Sequence, residues 1–177
     1  MVDEAFADFE AVETLGPHLR PGLVVLRSFG KTYGLAGLRV GYALGPVPIL
    51  DAARSTAIPL SVTGPAGAAA IASLDVEREL LGRVTVIAER RDTAWRALGE
   101  QGWNIPNPQG NFLWLPTGEQ TTEVADRLFD AGLVVRAFQP DGIRVSIGEE
   151  AAVEELLRIA ADIVGNLPTG NPARRLG

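Results

Sequence analysis

The sequence predicts an α/β fold, and three observations carry that prediction. Apolar, β-branched runs such as residues 23–27 do not alternate with polar residues, the pattern of strands buried on both faces of a sheet. Elsewhere the apolar spacing changes to three and four, most clearly over residues 75–100, so helices are interleaved with the strands. The chain has 177 residues, 46% of them hydrophobic and 21% charged, enough for one good core and too apolar for a disordered segment.

Taken in order, residues 2–6 (Val-Asp-Glu-Ala-Phe) read as the end of a strand running into a loop, an abrupt start that leads us to expect further sequence before it. Pro21-Gly22 introduces the strand 23–27, and a glycine-spaced loop, 28–34, follows it. A compact turn at 35–38 leads to a second buried strand, 39–45, stopped by Pro46 and Pro48. A short helix is expected at 49–55 and, after Pro59, a closely packed helix of small residues at 64–74. Over residues 75–100, Leu80, Val84, Ile87, Arg91, Ala94 and Leu98 fall on one helical face, in a helix long enough to bridge two lobes. Beyond a turn at 107–110 come strand 111–115, helix 119–131, strands 133–136 and 143–147, and helix 149–164. That order describes a small α+β lobe with helices on one face of a sheet. The expected domains are therefore 1–74, a connecting helix 75–105, a lobe 106–165, and a Pro- and Gly-rich tail 166–177 that should fray.

Composition excludes several chemistries. The net charge is -6, without the basic footprint of a nucleic-acid or anionic-membrane binder. The absence of cysteine removes disulfides, thiol nucleophiles and Cys-ligated metals, and a single histidine, His18, removes His triads and multi-histidine metal clusters. No EF-hand-like carboxylate spacing occurs, so no metal is expected. The first residues do not read as an export signal and the apolar stretches are too short to span a bilayer, so the expected compartment is the cytoplasm. Trp95, Trp103 and Trp114 are expected in the core or between lobes.

Sixteen basic residues comprise fifteen arginines and one lysine, Lys31. It stands where a strand should deliver its carboxyl end to a loop, the place where α/β sheets form ligand sites. An amine there suits nucleophilic catalysis, although an arginine-rich composition alone also leaves room for a bland surface lysine. Gly30-Lys31-Thr32 resembles the end of a P-loop, but the glycine required five residues before Gly30 is replaced by Val25, within the strand. A second reading takes Ser28 and Arg39 as ligands of a phosphate ester held beside Lys31, a hydroxyl and a guanidinium being suited to a retained phosphate.

The run from Ser28 to Tyr42, Ser-Phe-Gly-Lys-Thr-Tyr-Gly-Leu-Ala-Gly-Leu-Arg-Val-Gly-Tyr, resembles the cofactor-lysine signature of fold-type I pyridoxal-phosphate aminotransferases, in the histidinol-phosphate and aromatic branch. Asp3-Glu4-Ala5-Phe6 resembles the branch's Asp-Glu-Ala-Tyr element, and Asn111-Phe-Leu-Trp-Leu, Gly132-Leu-Val-Val-Arg136 and Gly142-Ile-Arg144-Val-Ser-Ile follow in the family's order. The resemblance implies the C-terminal half of the fold-type I transferase fold: part of the large parallel-sheet domain, then a small α+β domain.

The resemblance also implies roles. Lys31 would form the imine with pyridoxal 5'-phosphate and then carry the proton between the substrate α-carbon and the cofactor. Asp3 would keep the pyridine nitrogen protonated, Ser28 and Arg39 would hold the phosphate, and Arg144 would grip the substrate carboxylate, with Arg136 assisting or meeting a substrate phosphate. The implied reaction is amino transfer between an aromatic amino acid or histidinol phosphate and 2-oxoglutarate, in amino-acid biosynthesis, by a homodimer when full length. Phe6 stands where the family places a tyrosine and Gly30 where many members place a serine. The Ser-Phe-Gly-Lys loop also resembles threonine-phosphate decarboxylases of cobalamin biosynthesis, which keeps decarboxylation open. Family members carry about as much chain again before the Asp3 element, so we expect an incomplete piece whose isolated activity is weak or absent, or one completed by a separate N-terminal segment.

Overall fold

A computed structural model describes residues 1–10 and 13–175. The chain divides into two compact units, Met1–Thr85 and Val86–Gly177.

The N-terminal unit is built on a three-stranded sheet of β1 (Val2–Asp3), β2 (Val25–Ser28) and β3 (Gly41–Leu44), in the order β1-β2-β3. β1 runs parallel to β2, with Asp3 opposite Leu26, while β3 returns antiparallel, with Ser28 opposite Gly41. The sheet is therefore mixed rather than wholly parallel. The link from β2 to β3 contains only a 3-10 turn, Ala36–Leu38, and a short connection without a crossover helix returns a chain antiparallel. Val25 is fully buried, as the apolar run predicts, but the expectation of a second buried strand is corrected: Gly41, Tyr42 and Ala43 are exposed, β3 being an edge strand within this unit. Helices α1 (Val47–Thr56) and α2 (Gly64–Asp75) follow, α2 capped by the Thr63 hydroxyl accepting from the Ala66 amide.

Helix α3 (Glu77–Glu100) carries the predicted stripe, since Val84, Arg91, Ala94 and Leu98 are buried. The division between units falls inside this helix. Within residues 75–105, Ala94, Leu98 and Trp103 belong to the C-terminal unit's core. That core forms on one face of a sheet ordered β4-β6-β5, from β4 (Phe112–Leu115), β5 (Arg136–Phe138) and β6 (Gly142–Ser146). Leu113, Leu115, Ile143 and Val145 point inward against α4 (Thr121–Asp130) and α5 (Glu150–Asn166). Each fully buried aliphatic side chain there contributes about 1.5–3 kcal/mol.

Two expectations about this unit change. The strand read at 133–136 instead starts at Arg136. Leu133 and Val135 pack on the core instead, and the ladder with β6 begins only where Arg136 stands opposite Arg144. Nor does the described tail fray. Leu167, Asn171 and Ala173 are buried, Trp103 pairs with Arg174, and the Asn171 amide donates to Thr117 O (2.9 Å) and Gln120 Oε1 (2.6 Å). Apolar anchors and a satisfied amide outweigh the local Pro/Gly signal; residues 176–177 of that expected tail lie outside the described residues.

Candidate active site

Two groups of predicted residues are each assembled within one unit. In the N-terminal unit, Asp3 closes β1 and its Oδ1 accepts the Ala5 amide at 2.9 Å. Ser28 closes the adjacent β2, so the parallel pairing of β1 and β2 delivers both residues to the same sheet end. The loop after Ser28 folds on itself: Ser28 Oγ accepts the Gly30 amide (3.0 Å), the Leu35 amide returns to Phe29 O and the Gly34 amide to Lys31 O. Lys31 is exposed on this loop, with Nζ 4.6 Å from the centroid of the Phe6 ring.

Arg39 follows the 3-10 turn in a left-handed conformation, φ 54° and ψ 44°, which costs a non-glycine residue about 1–2 kcal/mol. That conformation places it on a hollow of about 220 Å³ lined also by Ser28, Gly30, Leu35, Val40 and Gly41. A Cβ added at Gly41 would stand 2.6 Å from Arg27 O, so the ladder beside the hollow admits only glycine. A hydroxyl and a guanidinium lining one hollow match a phosphate group, and the Lys31 amine and Asp3 carboxylate, carried at the same end of the sheet, match the remaining needs of pyridoxal phosphate. The donor set fits the cofactor that the sequence implies.

Beneath this end of the sheet lies an ionic cluster. Arg27 contacts Asp8 Oδ1 at 2.7 Å and Glu4 Oε2 at 3.3 Å, and Glu4 also accepts from the Thr14 hydroxyl (2.6 Å) and Leu15 amide (2.8 Å). Burial pushes the Glu4 carboxyl up, but the Thr14, Leu15 and Arg27 contacts outweigh it and hold it below its usual range. Burial opposes the Arg27 charge, and Asp8 in turn more than restores it, so the guanidinium stays protonated. The Tyr33 hydroxyl donates to Glu77 Oε1 at 2.6 Å; burial first, then this carboxylate, raises its pKa.

In the C-terminal unit the strand period places polar and apolar residues on opposite faces. Arg144 on β6 is flanked in register by Trp114 on β4 and Arg136 on β5. Two arginines directly opposite one another repel unless an anion lies between them. Arg144 Nε is buried without a hydrogen-bond partner, and the guanidinium carbon stands 5.6 Å from the Phe112 ring centroid; that of Arg136 stands 4.8 Å from Phe138. Trp114 and Phe138 are in contact, centroids 5.7 Å apart. This face is a cationic patch rimmed by rings, suited to a carboxylate carried on an apolar or aromatic body.

Trp103 is a core residue, its Nε1 donating to Ala160 O, but Trp114 lies on the arginine face rather than in the core. Its position at the second of two alternate aromatic sites, Phe112 and Trp114, is the signal that would have placed it there. Asp8 and Thr32 carried no sequence signal, because their contact joins residues 24 apart. No group of three or more potential metal ligands occurs among the described residues, nor does any helix there have the length and apolarity to cross a membrane.

The family model for aminotransferase class I and II matches residues 1–159. An aromatic amino acid aminotransferase of Streptomyces avermitilis is 43% identical over 164 residues, covering 90% of this chain and 46% of that protein. One from Thermobifida fusca is 47% identical over 129 residues, 73% of this chain and 36% of its own length. Among solved structures, histidinol-phosphate aminotransferase from Sinorhizobium meliloti in complex with pyridoxal-5'-phosphate superposes with a TM-score of 0.79 at 27% identity, over 94% of this chain and 48% of that one. A decarboxylase from Sulfurospirillum multivorans, at TM-score 0.72 and 19% identity over 91% of this chain and 51% of its own, shares the fold. The chain spans about half the length of the relatives it matches.

Proposed function

The chain belongs to the class I and II aminotransferase family, and on that premise we propose that it provides the lysine-bearing part of a pyridoxal-phosphate aminotransferase acting on an aromatic amino acid or histidinol phosphate, with 2-oxoglutarate as partner. The observation that carries the reading is the placement of the only lysine, Lys31, on the loop whose ends supply Ser28 and Arg39 to one hollow.

When bound, the cofactor supplies an electron sink for the carbanion formed at the substrate α-carbon. Lys31 Nζ would hold the cofactor and would hold and move the proton of the substrate α-carbon. Asp3 offers its carboxylate to the ring nitrogen and keeps a proton there. The Ser28 hydroxyl and Arg39 guanidinium bind the phosphate. Arg144, with Arg136 beside it, orients the substrate carboxylate, and Phe112, Trp114 and Phe138 exclude water around that ion pair. We place the protein in the cytoplasm, as a homodimer at full length.

Phe6 and Gly30 favour a second reading, decarboxylation of a phosphorylated amino acid on the same residues. The test comes in two steps. Pyridoxal 5'-phosphate and, separately, pyridoxal are added to the 177-residue chain and fixed by borohydride, and peptide mapping then compares Lys31 with the Met1 amine. Preferential capture of the phosphorylated aldehyde at Lys31 is expected, and equal capture of both aldehydes there would sink the proposal. Release of carbon dioxide without 2-oxoglutarate dependence would select the second reading.

A further inference from the structure

Asp8 lies on the 3-10 turn Ala7–Phe9, immediately after the segment that carries Asp3 and Phe6. Both of its oxygens are engaged: Oδ1 accepts from Arg27 Nη2 at 2.7 Å, and Oδ2 accepts from the Thr32 hydroxyl at 2.6 Å. Thr32 is buried and directly follows Lys31, whereas Lys31 itself is exposed. The Arg27 guanidinium is fixed in turn by Glu4, whose carboxylate is tied to Thr14 and Leu15. One carboxylate thus joins three pieces of chain distant in sequence: the Asp3–Phe6 segment, β2, and the lysine loop.

Asp8 does not line the hollow, and its two oxygens are taken up by Arg27 and Thr32. Its effect is geometric. A loop holding a long, exposed lysine samples many positions, and ordering it costs free energy at the moment of capture. A short charge-assisted bond at the adjacent residue removes much of that freedom in advance. We propose that Asp8, acting through Thr32, is a positioning residue that fixes the Lys31 loop relative to the Ser28–Arg39 hollow, so that the amine meets the aldehyde carbon of a molecule whose phosphate already occupies the hollow. This inference rests on the cofactor reading given above.

Its test uses the single lysine. Wild-type and Thr32→Val chains are incubated with pyridoxal 5'-phosphate and, in parallel, with pyridoxal. Each aldehyde condenses with Nζ with loss of water, and borohydride reduces the new bond to a secondary amine located by peptide mapping. The ratio of Lys31 capture rates, phosphorylated over unphosphorylated aldehyde, reports how the amine stands to the hollow; the Met1 amine is the internal reference. Thr32→Val should lower that ratio about fivefold, the loss of one hydrogen bond's alignment, while Thr32→Ser restores it to within about twofold. Asp8→Asn keeps an acceptor for Thr32 and loses the charge toward Arg27, so it should fall between the two; it carries the test alone if Thr32→Val does not fold. A wild-type preference that Thr32→Val and Asp8→Asn leave unchanged overturns the positioning role, as does an equal fall for both aldehydes. Absence of any preference in the wild type overturns the cofactor reading instead.

Discussion

Replacing Arg39 by glycine should move stability and cofactor affinity independently. The left-handed backbone at Arg39, φ 54°, is held against a steric cost of about 1–2 kcal/mol that glycine does not bear. Glycine returns roughly 0.5–1 kcal/mol through its greater freedom in the unfolded chain. The exposed bond from Arg39 Nη1 to Ala36 O, 2.8 Å, contributes about 0.5 kcal/mol more. The sum places Arg39→Gly within about 1 kcal/mol of the wild type. Loss of a charge-assisted bond to the phosphate, by contrast, should cost about 1.5–3 kcal/mol, or roughly 10- to 150-fold in affinity for pyridoxal 5'-phosphate. Urea unfolding followed by far-UV circular dichroism, with exchange of the Phe29 amide bonded to Val40 O as a local probe, measures the first quantity. Absorbance titration with the cofactor measures the second. A stability loss beyond about 2 kcal/mol would show that the arginine side chain supports the turn rather than straining it, and unchanged affinity would remove the hollow as the phosphate site.

Three further outcomes follow from the same geometry. In Arg144→Gln the thermal stabilisation produced by 2-oxoglutarate should disappear, and in Arg136→Gln it should shrink; saturation at about 100 times Kd stabilises the wild type by about 2.7 kcal/mol, and an unaltered shift in Arg144→Gln would exclude this face as the carboxylate site. Glu4 has a folded pKa below its ordinary value, so the stability it confers is complete above that ordinary value and is lost as pH falls through the lowered one; Glu4→Gln should flatten this acid limb of the N-terminal unit's unfolding profile, and a limb of unchanged slope would refute the assignment. Asn171→Ala strands the Ala173 amide and Thr117 carbonyl and should destabilise the C-terminal unit by about 1–3 kcal/mol, read by tryptophan fluorescence because Trp95, Trp103 and Trp114 all lie there; a change below about 0.5 kcal/mol would mean the tail docks through its apolar residues alone.

Local signals were readable wherever one element's own chemistry decides its form. The stripe of α3 was legible because helical period alone sets which residues share a face, and Val84, Ala94 and Leu98 are buried accordingly. The glycine-spaced loop around Lys31 was legible for a similar reason, since its turns are closed by its own amides. Two local signals misled. The valines before Arg136 have strand propensity but lie outside the ladder, which begins at Arg136, and the proline- and glycine-rich tail has anchors that no local rule registers.

The order of residues alone establishes that one side-chain amine exists, that it stands in a loop at a strand's end, and that arginines recur on the later strands. A nucleophile's identity and its place on an element are properties of the chain. Tertiary structure alone decided that Arg39 turns left-handed onto the hollow beside Ser28, that Arg136 stands directly across from Arg144, and that Asp8 reaches Thr32. Each of these depends on register, turn geometry or ion pairing between distant segments, and such contacts are fixed by the packing of the whole unit rather than by the residues on either side.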